Sequence, residues 1–461
     1  MRTKNAEESK RFIIVSIFLL TAILIYSNLL AGPESENIVI ISVDTLRADH
    51  LGCYGYPLPT SPNIDSLSKD GVLFSRCYTL TPLTTASFST MLTSLPPQKH
   101  GAKRNGLSIF PNVKTLTYYL KRYGYRTAAV ISNGALRKTG AGLHENFDYY
   151  YGIFTKRRWW GLMNPEGEAD SVTDKAISWI NKHKKKRFFL WVHYTDPHAP
   201  YVAHERFDFS YKKVPASLYA PGTRMDKIKR YDSEVAYTDY YIGQLLEKLK
   251  NEKLYENSLI LLHSDHGESF GEHGYFRHGR KLYNACLHVP LIIKLPGNRF
   301  ENTSRGGNVC LLDVAPTILN ALNLLEPDWM EGLPLFSRST RLDNREIVVQ
   351  AYAGKVHFRR KSKKFHLKVE PIRYGVIKGS TKLIYNKKTR TYEAYSLTED
   401  PFETGNLVLK NPLSIAGMKN ILIQRIDHIT AYIEINGTYR RNRNAVSRDD
   451  MRLLTSRGYG D

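Results

Sequence analysis

Three apolar stretches of the chain end abruptly in side chains that bind cations or move protons. NIVIISV (37–43) ends in Asp44. RFFLWV (187–192) ends in His193, with Asp196 and His198 close behind, and SLILLHS (258–264) runs into Asp265-His266-Gly267-Glu268. One strand ending in Asp is explained by the capping of a following helix. Three such ends, two of them setting His beside Asp, have the donor types of a metal site. A fourth stretch, TPLTTASFST (81–90), carries the hydroxyls Thr84, Thr85, Ser87, Ser89 and Thr90 within seven residues. A hydroxyl is a weak nucleophile until a base or a metal activates it. At a helix start, free N–H groups and the helix dipole also hold an oxyanion. Either one of these hydroxyls does chemistry, or one is an ordinary N-cap and the rest line a polar loop.

The elements that must position these residues follow from the pattern around them. The run 37–43 is apolar and β-branched throughout, as in a strand buried on both faces of a parallel sheet. Helix-then-strand units recur at 62–74, 113–132, 171–195 and 232–264, with a further strand at 289–295 and a helix over 309–324. This alternation predicts a large α/β fold with a mostly parallel sheet, in which chemistry collects at the carboxyl ends of the strands. From about residue 345 the texture changes to short strands, YGVIKGS and KLIYNKK, followed by a helix near 413–433, predicting a small antiparallel subdomain with a covering helix. The domain reading is a catalytic α/β domain at 37–344, a C-terminal subdomain at 345–435 and a basic tail at 436–461.

The chain has 461 residues, enough for a large core, and 66 Lys and Arg against 44 Asp and Glu, a net charge of +22. Such a balance favours anionic partners, but the basic runs at 184–187, 359–364 and 440–443 are scattered and no nucleic-acid-binding motif accompanies them; no nucleic acid is expected. Residues 1–11 form a basic tail, read as cytoplasmic. Residues 12–32 are long and apolar enough to cross a bilayer. The basic flank places the body outside the cytoplasm. A single-pass anchor and a cleaved signal peptide, leaving a secreted or periplasmic body, are the two readings of this segment. The four cysteines, Cys53, Cys77, Cys286 and Cys310, have no metal-ligand spacing.

The chain resembles the sulfatase family of the alkaline phosphatase superfamily from about Asn37 onward. The resemblance is carried, in order, by VDTLRADHLGCYGY (43–56), SPNIDSLSKDGVLF (61–74), SFSTMLTSLPPQKHG (87–101), HYTDPHAPY (193–201), HSDHGESFGEHG (263–274), HGRKLYNACLHVPLIIKLPG (278–297) and LLDVAPTILNAL (311–322). It implies the family's fold, a large mostly parallel sheet flanked by helices plus the small antiparallel subdomain. It also implies hydrolysis of sulfate or phosphate esters.

Two departures from the family pattern shape the expected chemistry. Sulfatases carry a Cys or Ser, converted to formylglycine, with Pro two and Arg four residues on; counting back from Leu92-Thr93-Ser94 places that position at Thr84, with Ala86 and Phe88 in the Pro and Arg places. No formylglycine is expected, and Thr84 becomes the candidate nucleophile. The family's oxygen-rich calcium site reads Asp44-Thr45 and Asp265-His266 here. That set is similar to the metal site of lipoteichoic-acid synthases and phosphoethanolamine transferases. It implies one divalent metal held by Asp44, Thr84, Asp265 and His266, manganese or zinc in preference to calcium.

Asp196-Pro197-His198 lacks the spacing of a second zinc site, which favours one metal, with two as the alternative. By the resemblance to sulfatases His198 is the anion contact or the leaving-group acid, His278 lies near the family's anion-binding lysine, and either imidazole could protonate the leaving oxygen; Lys103 by the same resemblance, Arg47 beside the metal strand and Ser87 at the helix start are substrate-binding candidates. His193, His273 and His288 are read equally well as structural, and Glu268 and Glu272 as local partners. The expected reaction passes through a covalent Thr-ester, to water in a hydrolase or to an envelope lipid or glycan in a transferase. A single apolar segment favours the hydrolase. A threonine ester lacks the route by which a formylglycine hydrate expels sulfate, which favours phosphate. A degenerate binding protein is the remaining reading.

Overall fold

The computed structural model describes residues 37–138, 140–154, 166–212, 214–342, 344–353, 369–410 and 412–441. The expected anchor at 12–32, the tail at 1–11 and most of the tail at 436–461 lie outside these residues. No helix among the described residues is long and apolar enough to cross a membrane.

The main sheet has eight strands: β1 (Asn37–Val43), β2 (Val72–Phe74), β3 (Arg126–Ile131), β4 (Tyr149–Gly152), β5 (Phe188–Tyr194), β6 (Ser258–Ser264), β7 (Leu291–Lys294) and β8 (Thr303–Arg305). Their order is β8-β2-β7-β6-β1-β5-β3-β4. β7 is antiparallel to its two neighbours β2 and β6, and the other neighbouring pairs are parallel. β1 is central and all seven of its residues are buried, which is why it reads as one apolar run and not an alternation.

Its side chains still alternate in what they meet. Ile38 and Ile40 pack in one cluster with Phe88, Met91 and Leu92 of helix α1 (Thr84–Thr93) and with Ile318 and Leu319 of a second helix, Val314–Ala321. Val39, Ile41 and Val43 pack on the opposite face with Val172, Ala176 and Ile180 of helix Ala169–His183 and with Val235, Ile242 and Leu246 of helix Met225–Asn251. Two helical layers thus clamp the sheet.

Register places the chemistry. Val43 pairs with Tyr194 on one side and Ser264 on the other. The carboxyl ends of β5, β1 and β6 are therefore level, and the residues that follow them emerge at one edge. β3 runs parallel beside β5 and contributes the segment from Ser132 at the same edge.

The second sheet holds β9 (Glu346–Tyr352), β10 (Pro371–Lys378), β11 (Thr381–Asn386) and β12 (Thr391–Ser396), antiparallel and in chain order. One face, with Ile347, Val349 and Ile377, packs on Tyr78, Leu80 and Leu282 of the main body. The other, with Val376, Leu383 and Ala394, is covered by Met418, Leu422 and Ile429 of the helix Ala416–Arg441.

The structure differs from the pattern reading in two elements. The helix read over 309–324 forms only over Val314–Ala321, after a short strand at Val309–Cys310. Pro316 has no N–H and is tolerated only in a first turn, so the helix begins just before it. The helix read from Asp232 starts at Met225 instead, because Ile228 and Tyr231 continue its buried face through a polar-looking segment.

Candidate metal and nucleophile site

Asp44 follows the last residue of β1 and Asp265 the last residue of β6; both are fully buried. Between them the backbone makes an unfavourable turn. Thr45 has φ 58°, a conformation β-branched residues rarely adopt. The turn directs the Thr45 N–H to Asp265 Oδ1 at 3.2 Å, and the Thr45 hydroxyl donates to the Asp44 carbonyl at 2.7 Å. Strain kept beside a buried acidic pair fits a site whose geometry is over-determined by its surroundings. Gly267 is demanded on the other side: a Cβ there would lie 2.1 Å from the Ala285 carbonyl oxygen.

Each carboxylate in the cluster keeps one oxygen without a hydrogen-bond partner. Asp44 Oδ2 accepts from Asn133 Nδ2 at 2.5 Å, and Asp44 Oδ1 has no hydrogen-bond partner. Asp265 Oδ1 accepts the N–H groups of Thr45 and His266, and Asp265 Oδ2 is unpartnered. His266 Nδ1 lies 3.0 Å from the Gly267 carbonyl, which only accepts; Nδ1 therefore carries the proton and Nε2 presents its lone pair. Nε2 is 3.3 Å from Asp265 Oδ2 and 3.9 Å from Asp44 Oδ1. One ligand atom from each of Asp44, Asp265 and His266 falls within 4.8 Å of the others.

Buried acceptors without donors are costly. A divalent cation would satisfy both orphaned carboxylate oxygens and take the His266 Nε2 lone pair beside them, and the residues present fit one. Burial raises the Asp44 carboxyl, opposed by His198 and His278, and raises Asp265 well above its ordinary value with Asp44 adding to it. Burial together with His278 pushes His266 well below. Burial thus disfavours charge on all three groups, and a bound cation would favour the ionised carboxylates.

The hydroxyl stretch settles into distinct roles. Thr84 is the first residue of α1, whose N-cap is Leu83 and which has no side-chain cap, so none of these hydroxyls is an ordinary N-cap. Thr84 Oγ1 is 3.4 Å from His266 Nε2. Ser87, expected as a substrate contact, donates instead to the Asp265 carbonyl at 2.7 Å and braces that strand end. Thr90 Oγ1 lies 3.1 Å from His100 Nε2.

Of the remaining candidates, His278 and His198 join the cluster. The His278 ring is 4.1 Å from the His266 ring and 5.4 Å from that of His198. His278 Nδ1 lies 3.2 Å from Glu268 Oε1, and His198 Nδ1 lies 3.0 Å from Glu166 Oε1. Burial lowers His198, but the Glu166 carboxylate, with Asp44 and Glu268, outweighs it and raises the imidazole to about 9.

Arg47 and Lys103 are committed elsewhere. The buried Arg47 guanidinium pairs with Glu272 at 2.6 Å and Asp49 at 2.7 Å and donates to the Glu268 carbonyl; it is a strut behind the Asp265 loop. Lys103 is buried with Nζ on the Val369 carbonyl at 3.2 Å, and burial lowers it to about 8. Asp196 caps the helix at Ala169 through Oδ1.

His193 is buried with Nε2 3.8 Å from Asp44 Oδ2. Burial lowers it to about 3. Asn133 and Glu166 carried no expectation. Asn133 follows an apolar strand as Asp44 does, and the same strand-end rule finds it. Glu166 has no comparable signal.

A buried acid-acid-imidazole cluster beside a helix-start hydroxyl, at the carboxyl edge of a two-layered α/β sheet, is the architecture of an ester hydrolase of the alkaline phosphatase superfamily. Within it the chain belongs to the sulfatase family: the family model described as Sulfatase matches residues 36–324, and that described as N-sulphoglucosamine sulphohydrolase, C-terminal, matches 271–431. An arylsulfatase of Clostridium perfringens is 23% identical over 469 residues, covering 85% of this chain and 94% of its own. A solved structure of a protein in complex with its substrate D-glucosamine-2-N,6-O-disulfate superimposes with TM-score 0.70 at 20% identity, covering 87% of this chain and 99% of the other. The phosphonate monoester hydrolase of Agrobacterium radiobacter superimposes with TM-score 0.67 at 18% identity, covering 86% and 96%.

Proposed function

We propose that the chain hydrolyses an anionic ester, phosphate or phosphonate in preference to sulfate, with Thr84 as nucleophile and a covalent Thr-ester as intermediate. The observation that carries this reading is the Thr84 hydroxyl at the first turn of α1, 3.4 Å from Nε2 of His266. Asp44 Oδ1, Asp265 Oδ2, His266 Nε2 and Thr84 Oγ1 would hold one manganese or zinc ion, a mixed oxygen and imidazole set that suits either metal better than calcium. Bound there, such an ion lowers the pKa of the hydroxyl and neutralises an ester oxygen.

The chain's own residues do the rest. Asn133 keeps Asp44 Oδ2 occupied, which supports a single metal on this carboxylate. Thr84 Oγ1 attacks the central atom in line, His278 faces the anion, and His198 gives a proton to the leaving oxygen. Phosphate is favoured because Thr84 offers no second hydroxyl on the reacting carbon, so release of the ester requires water to attack the central atom itself. The sulfatase names among the relatives support sulfate as the second reading. Residues 12–32 would hold the enzyme at a membrane facing anionic envelope lipid or glycan, a role the basic surface suits; a transferase using such an acceptor is the alternative outcome.

The test is the purified full chain on a panel of aryl phosphomonoesters, phosphodiesters, phosphonates and sulfates, each with manganese, zinc and calcium. Turnover with manganese or zinc, fastest on a phosphorus ester and abolished by Thr84→Ala, is expected. Full activity of Thr84→Ala, or an aldehyde at any Ser or Cys by mass spectrometry, would overturn the nucleophile assignment. Transfer to an added polyol with little hydrolysis would overturn the hydrolase reading.

A further inference from the structure

Three imidazoles gather beside the metal cluster. Thr84 Oγ1 is 3.4 Å from His266 Nε2, the His278 ring is 4.1 Å from the His266 ring, and the His198 ring is 5.4 Å from that of His278. In an in-line displacement the leaving group departs on the side opposite the nucleophile, and the reading above gives the proton on that side to His198. Its Nδ1 lies 3.0 Å from Glu166 Oε1, with side chains 19% and 5% exposed. Glu166 is itself tied to the metal cluster through the backbone: it forms a β-bridge with Asn133, Gly167 N–H donates to the Ser132 carbonyl, and the Asn133 amide holds Asp44 Oδ2. One short segment therefore sets both the carboxylate that faces the metal and the acid that faces the leaving group.

We infer that Glu166 is the positioning residue of the leaving-group acid, fixing the His198 proton on Nδ1 toward itself so that Nε2 faces the departing oxygen. The inference rests on the reading above. Thr84 enters the step with its hydroxyl proton already given up to solvent; the bond from its Oγ1 to the central atom forms and the bond to the leaving oxygen breaks with its electron pair. The Nε2 proton of doubly protonated His198 passes to that oxygen, giving the alcohol. His198, now neutral at Nε2 and still paired at Nδ1 with Glu166, then takes a proton from the water that attacks the central atom, and the bond to Thr84 Oγ1 breaks with its electron pair to return the alkoxide. A buried carboxylate in this place keeps one tautomer and one ring orientation through both steps.

The experiment compares wild type, Glu166→Ala, Glu166→Asp and His198→Ala, as the full chain with manganese, on two esters of the same acid. One carries a p-nitrophenol leaving group and the other a simple alcohol. A good leaving group needs no proton. We expect Glu166→Ala to lose about a hundredfold in kcat on the alkyl ester and at most a few-fold on the nitrophenyl ester, with Glu166→Asp recovering part of the alkyl activity. Equal losses on both esters, or none on either, would overturn the assignment. A second readout does not depend on turnover: imidazole nitrogen NMR of histidine-labelled protein, with His198 assigned by its absence in His198→Ala. At a pH above about 9, where the His198 ring is neutral, a proton held on Nδ1 in wild type and redistributed in Glu166→Ala supports the contact; an unchanged tautomer contradicts it. Inactivity of wild type on both esters would count against the proposed function alone, since the nitrogen spectrum still decides the role of Glu166.

Discussion

Removing the cation should cost this protein measurable stability, and the size can be worked from the site. Asp44 Oδ1 and Asp265 Oδ2 are buried without hydrogen-bond partners, and His266 Nε2 faces them. A metal that binds this folded arrangement and not the unfolded chain stabilises it by about 2.7 kcal/mol at a hundredfold excess over Kd. With 461 residues and about 2.1 cal/mol/K of unfolding entropy per residue, the unfolding entropy is about 1 kcal/mol/K. Chelation should therefore lower Tm by about 3 °C.

The shift should also grow with pH. Burial raises the folded-state pKa of both carboxyls above their unfolded values. The folded protein thus binds more protons than the unfolded chain from about pH 4 upward, and metal-free stability falls as pH rises through that window. A metal must displace those protons, so its affinity rises with pH. Differential scanning with chelator, manganese, zinc or calcium at pH 5 and pH 8 reads both effects. A shift that is larger at pH 5, or that survives the double substitution Asp44→Asn with Asp265→Asn, would refute the assignment of these ligands.

Two further outcomes test the supporting residues. Asn133→Ala removes the donor to Asp44 Oδ2, and a lost outer partner of a metal ligand costs about 10–100-fold in metal affinity; a metal titration followed by Tm or activity checks this, and an unchanged midpoint would contradict it. Arg47→Met leaves Glu272 buried without its partner, which should destabilise by about 3–5 kcal/mol in urea unfolding; full stability with a raised KM would instead restore Arg47 to the substrate site.

The strand ends were legible because a parallel sheet is buried on both faces. Any polar residue at the end of a run such as NIVIISV or SLILLHS is conspicuous there, and register then makes Asp44 and Asp265 neighbours. Asn133 obeys the same rule. The roles of Arg47, Lys103 and Ser87 were not legible, because residue type and neighbourhood do not say which way a side chain turns. Arg47 is drawn to two carboxylates, one of them 225 positions away in sequence, and Lys103 to a backbone carbonyl 266 positions away. Glu166 was invisible for the same reason: the pairing of Glu166 and Gly167 with Asn133 and Ser132 brings it to His198. The helix start at Met225 was hidden because its buried positions, Ile228 and Tyr231, are interleaved with charges.

The most direct test of the central claim is to catch the covalent intermediate. Full-length protein with manganese, mixed with an aryl phosphate or aryl phosphonate, is acid-quenched during turnover, digested and mapped by tandem mass spectrometry, with His198→Ala alongside to slow release. The account predicts a phosphoryl or phosphonyl ester on Thr84 that is absent without metal. An ester on another residue, or steady turnover with an unmodified Thr84 peptide at every quench time, would contradict it.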